Sequence, residues 1–272
     1  MQRRIRFVEE DGRTIKTVFE IDEQGRIQGS CKFYDENETL IADMYCVNGV
    51  TEGTSKKYYS SGELYSETEY RAGEMNGIEK LYDKKGNMIA QLTYANNLLN
   101  GPVSLYTPNG RIVEKTYYKQ GKKDGLHMEY ASNGVVLKMA SYVEDLLDGV
   151  TEEYEFNGRL CRRESYRQGR KNGPYVSYHE NGQLLKKGFY RDDVFSGPYE
   201  EYFVNGQLFR SGIYVDGKLY TVESYKELKK QEREKLNLKL RSLNEWKKPT
   251  EERKKIKQQL AFEYRLDFPK TR

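Results

Sequence analysis

The chain has 272 residues, of which 36% are hydrophobic and 32% charged, and a formal net charge of +4 at neutral pH. No run of 18 apolar residues occurs, so the sequence predicts no membrane-spanning helix. The three cysteines, Cys31, Cys46 and Cys161, show no paired spacing. This excludes a disulfide framework and favours a reducing, cytoplasmic location.

The first 28 residues lack the apolar core of a secretory signal, so we expect none. Residues 5–28 look like a degenerate copy of the unit that follows, with Gly25 in the matching position. We therefore predict that residues 1–28 form a capping hairpin at the first edge of a sheet, where an open strand needs protection.

Eight units of 24 residues follow, over residues 29–220. Each begins with a glycine: Gly29, Gly53, Gly77, Gly101, Gly125, Gly149, Gly173 and Gly197. We number the positions of a unit from this glycine, which is position 0. A tyrosine lies at position 5 in every unit, as in Tyr58, and a second tyrosine lies at position 17 in all units but the first, as in Tyr70. A fixed period without insertions predicts one stacked array.

Turn residues divide each unit into two short strands. A glycine stands at position nine, preceded by asparagine in five units, and Asn-Gly is a strong hairpin signal. Position 20 is always Gly, Asn or Asp, the residues that tolerate positive φ. We predict an all-β array of tandem 24-residue antiparallel hairpins in one elongated twisted sheet. A three-residue loop would pair Tyr58 with Leu64 and place both on the buried face with Tyr70.

The repeated pattern G-x4-Y-x-x-N-G-x-[LIV]-x5-Y-x-x-G resembles the variant class of MORN repeat. The 24-residue step and the Asn-Gly turn are similar to those of the bacterial YwqK-family antitoxins. The resemblance covers about residues 29–220 and implies tandem β-hairpins in an elongated sheet. It further implies an antitoxin or immunity protein that neutralises a toxin by direct binding, without assigning a role to any single residue.

Residues 221–272 carry 16 Lys or Arg against 9 Asp or Glu. Their Glu, Lys, Gln and Leu content predicts a helix over 225–246, and a second helix after Pro249 runs to about residue 265. This basic helical tail would either cover the open edge of the last hairpin or form an arm for an acidic partner or nucleic acid.

The second turn alternates in character from the third unit onward. Apolar pairs at Leu98-Leu99, Leu146-Leu147 and Val194-Phe195 are separated by basic pairs such as Lys122-Lys123. Either every second turn packs locally on its neighbour, or the apolar pairs form a ridge that contacts a partner. Tyr175 and Tyr199 are further candidates for partner binding, because tyrosine anchors interfaces well. Alternatively, they fill cross-strand ladders within the sheet.

No arrangement for catalysis, metal binding or cofactor binding is recognised, so we expect neither enzymatic activity nor a cofactor. His127 and His179 are interpreted as solvated strand or turn residues. We predict a non-catalytic protein-binding repeat protein, an antitoxin or immunity protein with a toxin as partner. The alternative is a structural scaffold or a membrane-peripheral module. No small-molecule substrate is expected, nucleic acid is disfavoured by the net negative array, and membrane contact would be limited to the tail.

Overall fold

The computed structural model describes residues 1–10 and 13–221, together with Ser224, Glu227 and residues 230–235. Within these residues the chain forms one antiparallel sheet of 22 strands, followed by helical residues. The sequence-based prediction of an all-β repeat array is confirmed.

The strands follow one another without a long connection. The first eleven are β1 (Gln2–Glu10), β2 (Arg13–Ile21), β3 (Ile27–Tyr34), β4 (Leu40–Val47), β5 (Val50–Thr51), β6 (Gly53–Tyr58), β7 (Leu64–Arg71), β8 (Glu74–Tyr82), β9 (Met88–Ala95), β10 (Leu98–Leu99) and β11 (Gly101–Tyr106). The others are β12 (Ile112–Lys119), β13 (Lys122–Tyr130), β14 (Val136–Val143), β15 (Leu146–Tyr154), β16 (Leu160–Arg167), β17 (Arg170–Tyr178), β18 (Leu184–Arg191), β19 (Val194–Phe195), β20 (Gly197–Tyr202), β21 (Leu208–Val215) and β22 (Lys218–Tyr220).

Strands adjacent in sequence pair antiparallel, so the sheet is a meander. The two-residue strands β5, β10 and β19 pair with the same neighbours as β6, β11 and β20, which follow them one residue later. Each short strand and the strand that follows it therefore form one strand, which is interrupted by a single residue before the unit glycine. In the other units the strand is continuous but carries a register shift at the same place, as between β7 and β8.

The hairpin turn has the predicted three-residue loop. In the second unit the Tyr59 amide donates to the Glu63 carbonyl at 2.8 Å, and the Gly62 amide donates to the Tyr59 carbonyl at 2.8 Å. Beyond the loop, Tyr58 pairs with Leu64 after a register shift. The predicted pairing of the first tyrosine with the apolar residue at position eleven is therefore confirmed.

The second turn contains two residues with positive φ. Position 20 has φ between 65° and 83° in all eight units, and position 19 is non-glycine with φ between 47° and 55°. Two successive left-handed residues are typical of the two-residue turns that match the twist of antiparallel strands. Successive turns are also bonded to each other, because the Gly121 amide donates to the Leu99 carbonyl at 2.8 Å and the Asp145 amide to the Lys123 carbonyl at 2.9 Å.

The prediction that both tyrosines of a unit share one face is wrong. The Tyr154 hydroxyl donates to Glu152, and the Tyr166 hydroxyl donates to Glu164 at 2.7 Å. Glu164 pairs with Thr151, the neighbour of Glu152, so the two glutamates point to opposite faces. The register shift after the hairpin loop moves the first tyrosine to the other face. The prediction counted every second residue from Leu64 as lying on one face and did not allow for this shift.

The core is a layer of mostly small side chains along one face. Positions 2, 13 and 15 of the units contribute most of the buried residues: Cys31, Ser55, Ser66, Thr68, Ala90, Thr116, His127, Ala140, Thr151, Glu164 and Tyr199. We call this side, which also carries the second tyrosines, the buried face. Within the described residues no second layer covers this face, so the rings of its own tyrosines supply the burial.

The helical residues after β22 begin with a reciprocal cap. The Thr221 amide donates to Ser224 Oγ at 2.8 Å, and the Ser224 amide donates to Thr221 Oγ1 at 3.3 Å. This is the geometry of a capping box at a helix start. Most of the predicted helix over 225–246, and all of the second, lie outside the described residues.

Candidate functional site

The apolar pairs predicted for partner binding are divided between the two faces. Leu98 pairs with Ala95 and is 49% exposed, whereas Leu99 pairs with Tyr94 on the buried face. The same division holds for the other two pairs: Leu146 and Val194 are 49% and 46% exposed, while Leu147 and Phe195 lie against Tyr142 and Tyr190. The first member of each pair is therefore the more exposed one, and the second lies half-buried on the other face.

The exposed members form a regular column at one edge of the sheet. The column begins with Val50, which is 43% exposed and lies 48 residues before Leu98, the first residue of the predicted ridge. Val50, Leu98, Leu146 and Val194 each pair across the second turn with position 18 of their unit: Val47, Ala95, Val143 and Arg191. We call these cross-turn pairs, taken over all eight units, the turn edge.

The 48-residue alternation has a local steric cause. A Cβ on Gly169 would lie 3.6 Å from Leu146 Cδ2, and a Cβ on Gly121 would lie 3.7 Å from Leu98 Cδ2. Each apolar side chain of the column therefore lies over the glycine of the next turn. Gly73 and Gly217 are contacted in the same way by Val50 and Val194. This contact supports the local-packing interpretation, yet the side chains remain about half exposed.

The intervening turns use a polar contact instead. Asn97 Oδ1 accepts from the Met75 amide at 2.8 Å, and Asp145 Oδ1 accepts from the Lys123 amide at 2.7 Å. Asp193 makes the equivalent bond with the Lys171 amide at 2.8 Å. A charged residue at position 21 is thus followed by Asn or Asp in the next turn. An apolar residue there is followed by glycine.

Tyr175, Phe195 and Tyr199 come together on the buried face. The Phe195 ring is 4.1 Å from Tyr190 and 5.6 Å from Tyr175, and the Tyr199 ring is 5.4 Å from Phe195. Tyr175 pairs directly with Gly188, and Tyr199 with Gly212, another glycine in the same column. Aromatic side chains cover the exposed backbone of strand glycines in this way, so the cluster has a structural explanation.

Burial changes the acidity of two phenols in this cluster. It raises the pKa of Tyr199 to about 12, and the Tyr199 hydroxyl also donates a hydrogen bond to Glu201. It raises the pKa of Tyr190 to about 12 as well, with Tyr175 and Glu164 nearby. Since Tyr199 is only 3% exposed, it offers little surface to a partner.

A buried carboxylate lies beside the aromatic cluster. Glu164 receives hydrogen bonds from Lys171 Nζ at 2.9 Å and from the Tyr166 hydroxyl at 2.7 Å. Burial alone would raise the pKa of Glu164, but these two bonds outweigh it and hold the pKa below its usual range. The group is a satisfied core ion pair.

The histidines differ from their sequence-based interpretation. His127 is 6% exposed, with Nδ1 2.8 Å from Thr116 Oγ1 and Nε2 3.0 Å from Glu129 Oε1, so describing it as solvated was wrong. His179 lies at a hairpin turn, half-buried, with Nε2 2.9 Å from the Tyr202 carbonyl.

Across the residues that the structure describes, no group of three or more His, Cys, Asp or Glu could hold a metal ion. Likewise, no helix in that part of the chain has the length and apolar character needed to cross a membrane.

Sequence reasoning missed the residues at position 18, although the two-residue turn would have identified them as the partners of position 21.

Comparison with known proteins identifies the repeat. The family model described as "MORN repeat variant" matches residues 51–72, 75–96, 99–120 and 171–192. No match was found among curated proteins. A solved structure entitled "Crystal Structure of TcdB2-TccC3-TEV" is 12% identical, with 73% of this chain and 13% of that chain covered, and its TM-score of 0.16 is too low to carry an argument. The four matched stretches are therefore MORN-variant repeats, and the other units of the array share their period and turn geometry.

Proposed function

We propose that the chain is a non-catalytic binding protein that contacts a protein partner along its turn edge. The observation that carries this proposal is the column of Val50, Leu98, Leu146 and Val194, each between 43% and 49% exposed. Isolated exposed apolar residues are ordinary, but a regular line of them along one edge is typical of an interaction surface.

The finer proposal is that the partner is a toxin, which the array neutralises by covering a functional surface. It is supported by the resemblance of the 24-residue unit to the YwqK-family antitoxins. The scaffold or membrane-peripheral alternative depends on the basic tail, most of which lies outside the described residues.

The experiment compares capture of partner proteins from the native cell by three versions of the full chain. Val194→Ser removes an exposed apolar residue from the turn edge, and Val204→Ser removes one from the hairpin end of the next unit, where Val204 is 59% exposed. Truncating an interface residue that anchors binding weakens it by more than about 1 kcal/mol, or at least about fivefold. We expect capture to fall with Val194→Ser and to stay at the wild-type level with Val204→Ser.

Equal capture by all three versions would remove the turn edge from consideration. The toxin proposal has a separate test. The captured partner, expressed alone, should arrest growth, and co-expression of the wild-type chain should restore it. A partner without toxicity would leave a binding protein that is not an antitoxin.

A further inference from the structure

The turn edge carries charge as well as apolar surface. Between the apolar row Val143/Leu146 and the mixed row Arg191/Val194 lies the row Arg167/Arg170, in which two arginines are direct cross-strand partners. The row Lys119/Lys122, before Val143/Leu146, is also doubly basic. Like charges directly opposite each other in a sheet destabilise it, so these rows have an unfavourable arrangement in the isolated chain.

On the faces of the sheet, several basic side chains are paired with acids. Arg163 Nη2 is 2.5 Å from Glu152 Oε1, and Lys56 Nζ is 3.2 Å from Glu67 Oε1. Along the turn edge, Lys122 reaches Glu144 at 3.5 Å, with both side chains more than half exposed. Within the described residues, no ion pair is found for Arg167 or Arg170, and both are exposed. The Arg167/Arg170 row is therefore free to bind an anionic group from outside.

Rows at the turn edge repeat at the spacing of a helical heptad. Adjacent rows are two strands apart, or about 10 Å. In an α-helix, residues seven apart return to nearly the same face after about 10.5 Å. A helix lying across the strands could thus place one residue on each successive row, with a mismatch of less than about 1 Å per row.

We propose that the turn edge binds a helix of a partner protein in which apolar and acidic residues alternate every seven residues along one face. The apolar residues lie on the rows of Leu98, Leu146 and Val194, and the acidic ones on the rows of Lys122 and Arg170. This inference rests on the proposed function and adds the chemistry of the partner. A second copy of the chain fits less well, because its own turn edge offers Glu74 as the one acid in these rows.

The probe is a 22-residue helical peptide with leucine at positions 1 and 15 and glutamate at positions 8 and 22, labelled for fluorescence anisotropy. A second peptide carries lysine in place of the two glutamates, and vesicles containing phosphatidylserine test the membrane alternative. The full chain should bind the acidic peptide at least about tenfold tighter than the basic one, and more weakly as salt rises.

The decisive variant is Arg167→Glu/Arg170→Glu, with Lys84→Glu/Lys85→Glu as control. Lys84 and Lys85 are exposed at a hairpin turn, at the opposite end of the strands, and give the same change in net charge. The arginine variant should lose the preference for the acidic peptide, while the lysine control keeps the wild-type preference.

A single substitution separates binding from folding. Arg167→Glu alone converts a like-charge pair into an attractive pair, so the thermal midpoint should stay the same or rise while the acidic peptide is lost. Equal binding of both peptides, binding unchanged in the arginine variant, or binding of vesicles without peptide would each overturn the proposal. If Val194→Ser abolishes partner capture but Arg167→Glu/Arg170→Glu does not, the turn edge is the binding surface and the acidic helix is wrong.

Discussion

The contact between position 21 and the next turn glycine can be tested by a double-mutant cycle at Leu146 and Gly169. Leu146 is about half buried, so Leu146→Lys should cost about 1 kcal/mol. Gly169 has a φ of 79°, and its missing Cβ leaves room for Leu146. Gly169→Asp should cost roughly 1 kcal/mol for the left-handed backbone and about 1 kcal/mol more for displacing the leucine.

Together the two changes should cost less than their sum. They recreate the native combination of Lys122 and Asp145, in which the carboxylate accepts from the Lys123 amide at 2.7 Å. Such a bond contributes about 1 kcal/mol, which gives a total near 1 kcal/mol for the double variant against about 3 kcal/mol for the sum. We expect a favourable coupling energy of about 1 to 2 kcal/mol.

Urea unfolding followed by circular dichroism measures the four stabilities, with equal m-values required because an array can unfold in parts. Leu98→Lys combined with Gly169→Asp serves as the control, since Leu98 contacts Gly121 instead. That pair should be additive within about 0.3 kcal/mol. If the Leu146 cycle is equally additive, the steric explanation of the alternation is refuted.

Three further predictions concern the buried face. Phe195→Ala should lower the free energy of unfolding by about 3 kcal/mol. Leu147→Ala, at the same position of its unit, should lower it by about 1 kcal/mol less, because Phe195 also has ring contacts with four tyrosines. Equal losses would contradict this explanation. The lowered pKa of Glu164 means that its contribution is present above pH 4.5 and is lost as pH falls through the lower folded value, so Glu164→Gln should flatten the acid limb of urea midpoints. The raised pKa values of Tyr190 and Tyr199 contribute stability below pH 10 that is lost toward pH 12, so absorbance titration should show one late-ionising phenol fewer in each of the two Tyr→Phe variants.

The turns could be predicted because few residue types satisfy their backbone. Position 20 needs positive φ, and Gly, Asn and Asp are the residues that accept it at low cost. The pairing of Tyr58 with Leu64 followed from the loop length, which the position of the turn glycine indicates. Both features depend on local chemistry, which a single sequence displays.

The faces could not be predicted by counting alternate residues. One register shift follows the hairpin loop and another precedes the unit glycine, and each changes which residues share a side. A shift is a backbone property, and no residue type in the strand marks it uniquely. The burial of His127 was missed for the same reason, since its position two residues after the glycine places it on the buried face.

The candidate site was predicted in part. The alternation of Leu98, Leu146 and Val194 is visible in the sequence, but the sequence does not show that Leu99, Leu147 and Phe195 point the other way. That division follows from the two-residue turn, which makes positions 18 and 21 partners. Applying the turn register to the sequence would also have revealed the basic rows.

The faces of the sheet and the turn edge differ in whether their charged side chains are neutralised within the chain. On the faces, side chains such as Arg162 and Glu153, 2.5 Å apart, neutralise each other within the unit. At the turn edge, Arg167 and Arg170 face each other at a cost that an opposite charge at either position would remove. Glutamate is common throughout the chain and would fit there sterically, so a basic row beside half-exposed Leu146 is better explained by a partner than by folding. The recurring glycines and tyrosines build the sheet, whereas the partner that we propose would be selected by the residues that differ between units at the turn edge.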